Sequence, residues 1–282
     1  APWQAAPTPL GQLAQTLGEA MQAYLLKEGF DPYTRQLASV FVLDLTTGDT
    51  FTLNPGVAYS GMSLTKIAIL AAYFARHSGP LTRDEAFLVA DTMMCSENLT
   101  TNDLLAWVGD GDALAGAQRV TAFLQQLGLR STFLMRQYVV SDNETPVAVG
   151  TLDTTADQQR ALPDAYNQIV VEELGWLLAG MYQCALDGTG LLTEHLPDAY
   201  TVQECRQMLY AMDANSIGVF LEAGVPEGTR VIHKHGWIAD THGDAGLVIG
   251  PQGAFVFVAA LYGRDWLEFE QSSPVIAELA RM

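Results

Sequence analysis

Apolar residues recur along this chain at two spacings, and the spacing predicts which segments are helices and which are strands. They recur every three or four residues from about 10 to 29, which predicts an N-terminal helix. Branched and aromatic runs at 39–45 and 50–53 flank a Thr-Gly-Asp turn, which predicts a β-hairpin. The chain is therefore expected to begin with a helix followed by two antiparallel strands.

The rest of the pattern predicts a helical insert and then a return to strands. Helical spacing predominates from about 60 to 215, and strand-like runs follow between 230 and 262 before a last helix at about 265–282. The predicted fold is α+β, an α/β sandwich in which an antiparallel five-stranded sheet is flanked by helices and carries an inserted all-helical domain. The predicted domains are a discontinuous sheet domain, 10–59 with 216–282, a helical domain, 60–215, and a tether, 1–9.

The first chemical motif is Ser63-Leu64-Thr65-Lys66, at the start of a helix predicted over 63–76. On such a helix Ser63 and Lys66 lie one turn apart on the same face, so the amine can reach the hydroxyl. A lysine with a depressed pKa can then act as the base for a serine nucleophile. Alone the motif is weak, because an N-cap serine with a solvated lysine is the simpler interpretation.

Two further motifs follow in the chain. Ser96-Glu97-Asn98 is predicted to be a turn before a helix, where Ser96 can relay a proton and Asn98 can bind an amide, although a capped helix start is the simpler interpretation. Lys234-His235-Gly236 lies in a predicted strand, where a lysine is costly unless it serves an edge or a site. Its glycine would let the backbone of a substrate approach closely.

The three motifs in this order resemble those of the penicillin-recognising serine hydrolases, the superfamily of class A β-lactamases and D,D-peptidases. The resemblance covers the chain from about Leu37 onward and implies the β-lactamase/transpeptidase-like fold. It implies that Ser63 is the acylated nucleophile, Lys66 its general base and Ser96 a proton shuttle. The expected reaction passes through an acyl-enzyme.

The resemblance also implies how a substrate is held. Asn98 would bind the substrate amide and Lys66, and Lys234 would lie on the side of the substrate carboxylate. His235 and Gly236 would complete the side of the site that faces the substrate carboxylate. The backbone N–H groups of Ser63 and Trp237 would form the oxyanion hole.

His235 is a departure from the family triplet, which has threonine or serine between lysine and glycine. The hydroxyl there binds the substrate carboxylate, whereas imidazole is bulkier and titrates near neutrality. Two interpretations stay open at this point: His235 adds a second cation at mildly acidic pH, or it blocks the carboxylate pocket.

A second departure concerns the release of the acyl group. Class A enzymes carry a water-activating glutamate in an Arg-Trp-Glu-Pro-Glu-Leu-Asn type segment, and the corresponding stretch here, 134–140, contains no glutamate. Glu144 is the nearest candidate for a deacylation base, although an exposed loop acid is the simpler interpretation. We therefore expect poor deacylation of β-lactams.

Histidines near the third motif raise the question of a metal site. His233, His235 and His242 lie in or beside predicted strands, where alternate residues share a face. No carboxylate or cysteine accompanies them at a typical zinc spacing. The sequence therefore predicts no metal and no cofactor.

Composition limits which binding partners and which cellular compartment are expected for the protein. The net charge of −18 argues against nucleic acid as a partner and favours a cationic or neutral small molecule or peptide. No apolar segment is long enough to span a bilayer. The chain begins with a Pro/Ala-rich stretch and no methionine, which is typical of a processed N-terminus. We expect an extracytoplasmic bacterial protein, whether periplasmic, secreted or surface-tethered.

Three cysteines add one open question and one expectation. Cys184 and Cys205 lie on successive predicted helices and are able to pair in an oxidising compartment, which the sequence leaves undecided. Cys95 is expected to pack behind the site as a small buried apolar residue.

Three functions follow from these observations. The leading one is a serine hydrolase that acts on a β-lactam or on a peptide or amide of the cell-wall type. The second is a true class A-like β-lactamase that uses Glu144 or Lys66 for deacylation. The third is a noncatalytic binding module on the same fold.

Overall fold

The computed structural model of the chain describes residues 12–31, 33–141, 148–251 and 253–282, with side chains described from residue 15 onward. The predicted tether, 1–9, lies outside the described residues. The predicted boundaries between the sheet domain and the helical domain, at 59/60 and 215/216, stay a prediction.

An antiparallel sheet of five strands organises the molecule. Its strands are β1 (Gln36–Asp44), β2 (Thr50–Leu53), β6 (Arg230–Trp237), β7 (Thr241–Gly250) and β8 (Gly253–Gly263). They lie in the order β2-β1-β8-β7-β6, so β6 is an edge strand and the N-terminal hairpin pairs with the last strand. The predicted α+β fold with a five-stranded antiparallel sheet is confirmed.

A second, smaller sheet joins distant parts of the helical region. It consists of β3 (Tyr59–Ser60), β4 (Phe133–Leu134) and β5 (Asn167–Ile169) in the order β3-β5-β4. The sequence pattern did not predict it, because two or three residues are too few to show a period. It fixes the segment that precedes Ser63 against the loop that follows β4.

Ten α-helices are described, and short loops join most of them. They are α1 (Gln12–Lys27), α2 (Lys66–Phe74), α3 (Arg83–Ala90), α4 (Asn98–Val108), α5 (Ala113–Gln126), α6 (Val171–Asp187), α7 (Leu191–His195), α8 (Val202–Asp213), α9 (Leu221–Gly224) and α10 (Phe269–Arg281). A π-helical turn, Asp91–Cys95, separates α3 from α4. The predicted terminal helices are present and slightly shorter than expected.

Two apolar cores cover the two faces of the large sheet, as the alternation along β1 requires. Ala38 and Val40 pack in a core with residues of α1 and α10, such as Met21 and Ile276. Phe41, on the other face, belongs to the larger core that contains the helical region. The terminal helices therefore lie on one face of the large sheet, and the helical region lies on the other.

Helix α2 forms the centre of the larger core. All nine of its residues are buried. The helix is shorter than the predicted 63–76, because Met62 has a positive φ of 52° and a tight turn precedes Lys66. Within the described part of the chain no helix is both long and apolar enough to cross a membrane.

Candidate active site

Ser63 lies in the tight turn that leads into α2. The Lys66 N–H donates to the Ser63 carbonyl oxygen at 3.3 Å, so the two residues remain one turn apart although the α-helix begins only at Lys66. Ser63 is half-buried, and the helix behind it is fully buried. The Ser63 hydroxyl therefore lies at the edge of the apolar core, where a substrate can reach it.

Lys66 is fully buried and connects the first motif with the second. Its Nζ donates to Asn98 Oδ1 at 3.0 Å, to Ser96 Oγ at 3.3 Å and to the Ser96 carbonyl oxygen. Burial, followed by the positive charge of Lys234, lowers the pKa of Lys66 to about 7. A substantial fraction of the amine is therefore unprotonated at neutral pH, as a general base requires.

The second motif is shaped by two local conformations. Ser96 follows the π-helical turn with a left-handed φ of 59°, which turns the chain toward Lys66. Glu97 is the N-cap of α4, where its carboxylate accepts the Leu99 N–H at 3.2 Å. Asn98 then begins the helix and donates its Nδ2 to the Val139 carbonyl oxygen at 3.0 Å.

The expectation for Cys95 is wrong. Its side chain is exposed, and it lines the pocket in front of Ser63 instead of packing behind it. The cause is the left-handed turn at Ser96, which directs Ser96 inward and leaves Cys95 on the outer side.

The third motif lies on the edge strand β6. Lys234 is fully buried, its Nζ donates to the His235 carbonyl oxygen at 2.9 Å, and burial lowers its pKa to about 8. A Cβ atom on Gly236 would lie 2.7 Å from the Ser63 nitrogen, so only glycine lets β6 approach the serine this closely.

The geometry of β6 also orients the N–H of Trp237. The Ile238 N–H donates to the Thr241 carbonyl oxygen, and Trp237 lies opposite His242 in the next position of the ladder. Backbone groups alternate in direction along an antiparallel pair, so the Trp237 N–H points away from β7. It therefore faces outward at the same edge of the sheet that approaches the Ser63 nitrogen.

His235 does not add the second cation that the sequence allowed. Burial, followed by the charge of Lys234, lowers the pKa of His235 to about 3, so the ring is neutral at mildly acidic pH. Its Nδ1 lies 3.1 Å from Asn215 Nδ2, and its ring stacks on Trp237 with 5.2 Å between centroids. Sequence reasoning missed Asn215, because it lies just beyond α8 and meets His235 only in the folded chain.

Two adjoining pockets share Ser63. The first, of about 370 Å³, is lined by six of the predicted site residues, Ser63, Ser96, Asn98, His235, Gly236 and Trp237, together with Cys95, Glu97 and Val140. Lys66 and Lys234 lie buried behind this lining. The second pocket, of about 280 Å³, is bounded by the loop after β4 and includes Arg136, Tyr138 and Asp164.

Tyr138 lies within 134–140, the stretch that corresponds by resemblance to the glutamate-bearing segment of class A enzymes. Its hydroxyl donates to the Met62 carbonyl oxygen at 2.9 Å and shares a hydrogen bond with Thr65 Oγ1, and its ring centre lies 4.9 Å from Lys66 Nζ. Asn102 holds the tyrosine backbone from both sides. Burial raises the pKa of Tyr138, so its phenol stays protonated.

The carboxylates that line the two pockets are engaged elsewhere. Glu97 caps α4, and Asp164 accepts the Tyr166 N–H at 2.7 Å and lies 4.0 Å from Arg136. Glu144 lies outside the described residues. Among the described residues, no group of three or more His, Cys, Asp or Glu side chains is arranged to hold a metal ion.

Comparison with known proteins identifies the family. Residues 86–282, well over half of the chain, match the model of the Beta-lactamase enzyme family. The chain belongs to this family. The enzyme is accordingly a serine hydrolase of the superfamily that contains class A β-lactamases and penicillin-binding proteins. A direct sequence comparison with curated proteins gives no match.

Solved structures agree with the fold. A mutant of PBP-A in an acyl-enzyme complex with penicillin G is 18% identical, with a TM-score of 0.67 over 95% of this chain and 94% of that one. A variant class A β-lactamase of the last common ancestor of Gram-negative bacteria is 21% identical, with a TM-score of 0.67 over 94% and 96%. A β-lactamase from Streptosporangium roseum is 17% identical, with a TM-score of 0.66 over 95% and 96%.

Proposed function

We propose that the enzyme acts through an acyl-enzyme on Ser63, with a β-lactam or a cell-wall-type peptide or amide as the acyl donor. Neutral Lys66 takes the proton of the Ser63 hydroxyl while Oγ attacks the carbonyl carbon. The N–H groups of Ser63 and Trp237 hold the developing oxyanion. Ser96 passes a proton to the leaving nitrogen as the C–N bond breaks.

The network around Lys66 is the observation that supports this mechanism most. A buried amine with a pKa of about 7 contacts both residues of the second motif, and the edge of β6 approaches the Ser63 nitrogen. Burying an amine in a core is unfavourable, and it is expected where the amine has a chemical role. Asn98 would bind the substrate amide, and Lys234 with His235 would form the carboxylate side.

We propose further that β-lactams acylate Ser63 quickly and that the resulting acyl-enzyme is hydrolysed slowly. Hydrolysis of the ester needs a base that activates water. Tyr138, which lies beside Lys66, is not such a base, because its phenol is protonated and already hydrogen-bonded to Met62 and Thr65. Glu97 and Asp164 are held by other groups. The competing possibility, a true β-lactamase, is favoured by the lowered pKa of Lys66, which would allow the same amine to serve both steps.

The proposed location is outside the cytoplasm. The structure contains a disulfide between Cys184 and Cys205, with Cα atoms 5.8 Å apart. Disulfides persist mainly in oxidising compartments, where cell-wall substrates are also found.

The test is intact-mass spectrometry of the protein mixed with penicillin G, sampled from seconds to hours. We expect an adduct with the mass of the intact drug that persists, and its absence in the Ser63→Ala variant. Rapid loss of drug without an adduct would show a true β-lactamase, and a Glu144→Gln variant would then separate the two candidate bases. Absence of both adduct and drug loss, with every acylating agent tried, would favour the noncatalytic binding module.

A further inference from the structure

Asn215 contacts the residue that departs most from the family motif. It lies two positions beyond the end of α8, and only 1% of its surface is exposed. Its Nδ2 donates to the His233 carbonyl oxygen at 3.2 Å and lies 3.1 Å from His235 Nδ1. One amide group therefore touches two points of β6, one on either side of Lys234.

The chemistry of an amide fixes the direction of both hydrogen bonds. A backbone carbonyl oxygen only accepts, so the Asn215 amide must present its nitrogen to His233 and not its oxygen. The amide nitrogen carries two hydrogens and has no acceptor role, so its second hydrogen points at His235 Nδ1. Nδ1 is thus an acceptor, and the single proton of a neutral ring resides on Nε2.

Burial and the surrounding charges keep the ring of His235 neutral. Burial opposes a positive charge there most strongly, Lys234, His233 and Lys66 add to the opposition, and Asp244 favours the charge. The balance lowers the pKa of His235 to about 3. A donor that carries no charge is therefore present across the physiological pH range.

The two edges of the ring face different surroundings. Asn215 is buried behind the strand and does not line the pocket, whereas His235 does line it and stacks on Trp237 at an interplanar angle of 18°. With Nδ1 held by Asn215 and one ring face covered by Trp237, Nε2 is the nitrogen left for a substrate. The family triplet has a hydroxyl at this place in the sequence.

We propose that Asn215 is a positioning residue that holds His235 as the neutral Nε2–H tautomer, so that His235 donates a hydrogen bond to a carboxylate oxygen of the substrate. The proposal rests on the acyl-enzyme function above. It predicts that the carboxylate side of the pocket presents one neutral donor, His235, with the buried amine of Lys234 behind it. A threonine hydroxyl both donates and accepts, whereas this imidazole edge only donates.

The first experiment reads the tautomer directly. Nitrogen NMR of the ¹⁵N-histidine-labelled protein at neutral pH distinguishes protonated from unprotonated ring nitrogens, and a His235→Thr variant assigns the signals among the five histidines. We expect a proton on Nε2 of His235 and none on Nδ1. A proton on Nδ1, or on both nitrogens, overturns the proposal.

The second experiment asks whether Asn215 acts through His235. Asn215→Leu preserves approximate volume and removes the donor, and we expect the acylation efficiency with penicillin G to fall by about ten- to a hundredfold, mainly through weaker binding. In a His235→Thr background the same substitution should change it by less than about twofold, because there is no imidazole left to orient. An equal loss in both backgrounds shows a merely structural role and contradicts the proposal.

A matched control comes from the same helix. Gln207 is a partly buried amide on α8 whose Oε1 has no hydrogen-bond partner, and Gln207→Leu should leave both the tautomer and acylation unchanged. The NMR measurement needs no substrate and no variant at Asn215. Failure of penicillin G to acylate Ser63 therefore overturns the proposed function, while the ring signals still decide the tautomer.

Discussion

Two buried lysines in one site each make the other's charge less favourable. Lys66 and Lys234 are both fully buried, and the charge of Lys234 is second only to burial in lowering the pKa of Lys66. The proposed reaction needs Lys66 neutral and Lys234 charged. With pKa values of about 7 and about 8, this combination is most populated in a narrow range of pH.

We therefore expect a bell-shaped dependence of the acylation rate on pH. The rate should rise through about pH 7 as Lys66 loses its proton, and fall through about pH 8 as Lys234 loses its own. In Lys234→Met the falling limb should disappear, and the rising limb should move to higher pH because a positive neighbour is gone. Stopped-flow acylation by penicillin G measures both limbs, and an unmoved rising limb would contradict the coupling.

At the residue scale, the sequence was informative where the chemistry lies in short motifs. The motif residues could be found because each motif keeps its members within four positions. Tyr138 and Asn215 could not, because their roles depend on contacts with Met62, Thr65 and His235 that only folding creates. The absence of glutamate from 134–140 was a signal that drew attention to the loop, although it did not indicate which side chain takes the place.

At the scale of elements, a disulfide joins two helices that support the site. Cys184 is near the end of α6, which packs on the large sheet, and Cys205 is in the first half of α8, which leads to Asn215. The sequence left this pairing open, and the structure contains it. The bond ties the position of α8, and hence of Asn215, to the central sheet.

Removal of this disulfide is expected to cost stability. The closed loop spans 21 positions, and replacing both cysteines with alanine should lower the free energy of unfolding by about 2–4 kcal/mol. Denaturant unfolding followed by circular dichroism measures the change. Cys95→Ala serves as the control because Cys95 is exposed and unpaired, and equal stability of both variants would contradict the expectation.

Longer elements could be predicted better than short or irregular ones. The strands of the large sheet and the terminal helices have enough residues to show a period, and their succession along the chain was predicted correctly. The β3-β5-β4 sheet and the π-helical turn at Asp91–Cys95 have no such period, because tertiary pairing and a left-handed Ser96 define them. The wrong expectation for Cys95 follows from that turn.

At the scale of the whole molecule, the chain has a net charge of −18, whereas the site is proposed to bind a substrate carboxylate. Long-range repulsion should slow the approach of an anionic substrate, and dissolved salt should screen it. Lys234 is buried, so salt screens its interaction with a bound substrate much less than it screens the long-range repulsion. The rate of encounter with the substrate is therefore expected to depend on salt, whereas reactions of the bound substrate are expected to depend on it much less.

We predict that salt accelerates acylation by penicillin G under dilute conditions. Raising the ionic strength from about 0.01 M to about 0.15 M should increase the second-order rate constant by about twofold, because the Debye length falls below the size of the protein. The rate at saturating penicillin should not change, since the encounter step no longer limits it. A decrease with salt would show that local positive charge governs the approach.

The pairing of β1 with β8 also has a consequence for the timing of biosynthesis. Leu43 in the N-terminal hairpin lies opposite Val256, and Gly236 approaches Ser63 from a strand of the same C-terminal group. A growing chain that already contains all the helices from α1 to α9 therefore still lacks both the neighbour that completes its sheet and one wall of its pocket. The enzyme can acquire activity only after β6, β7 and β8 have been synthesised, which keeps shorter nascent chains from reacting with substrate.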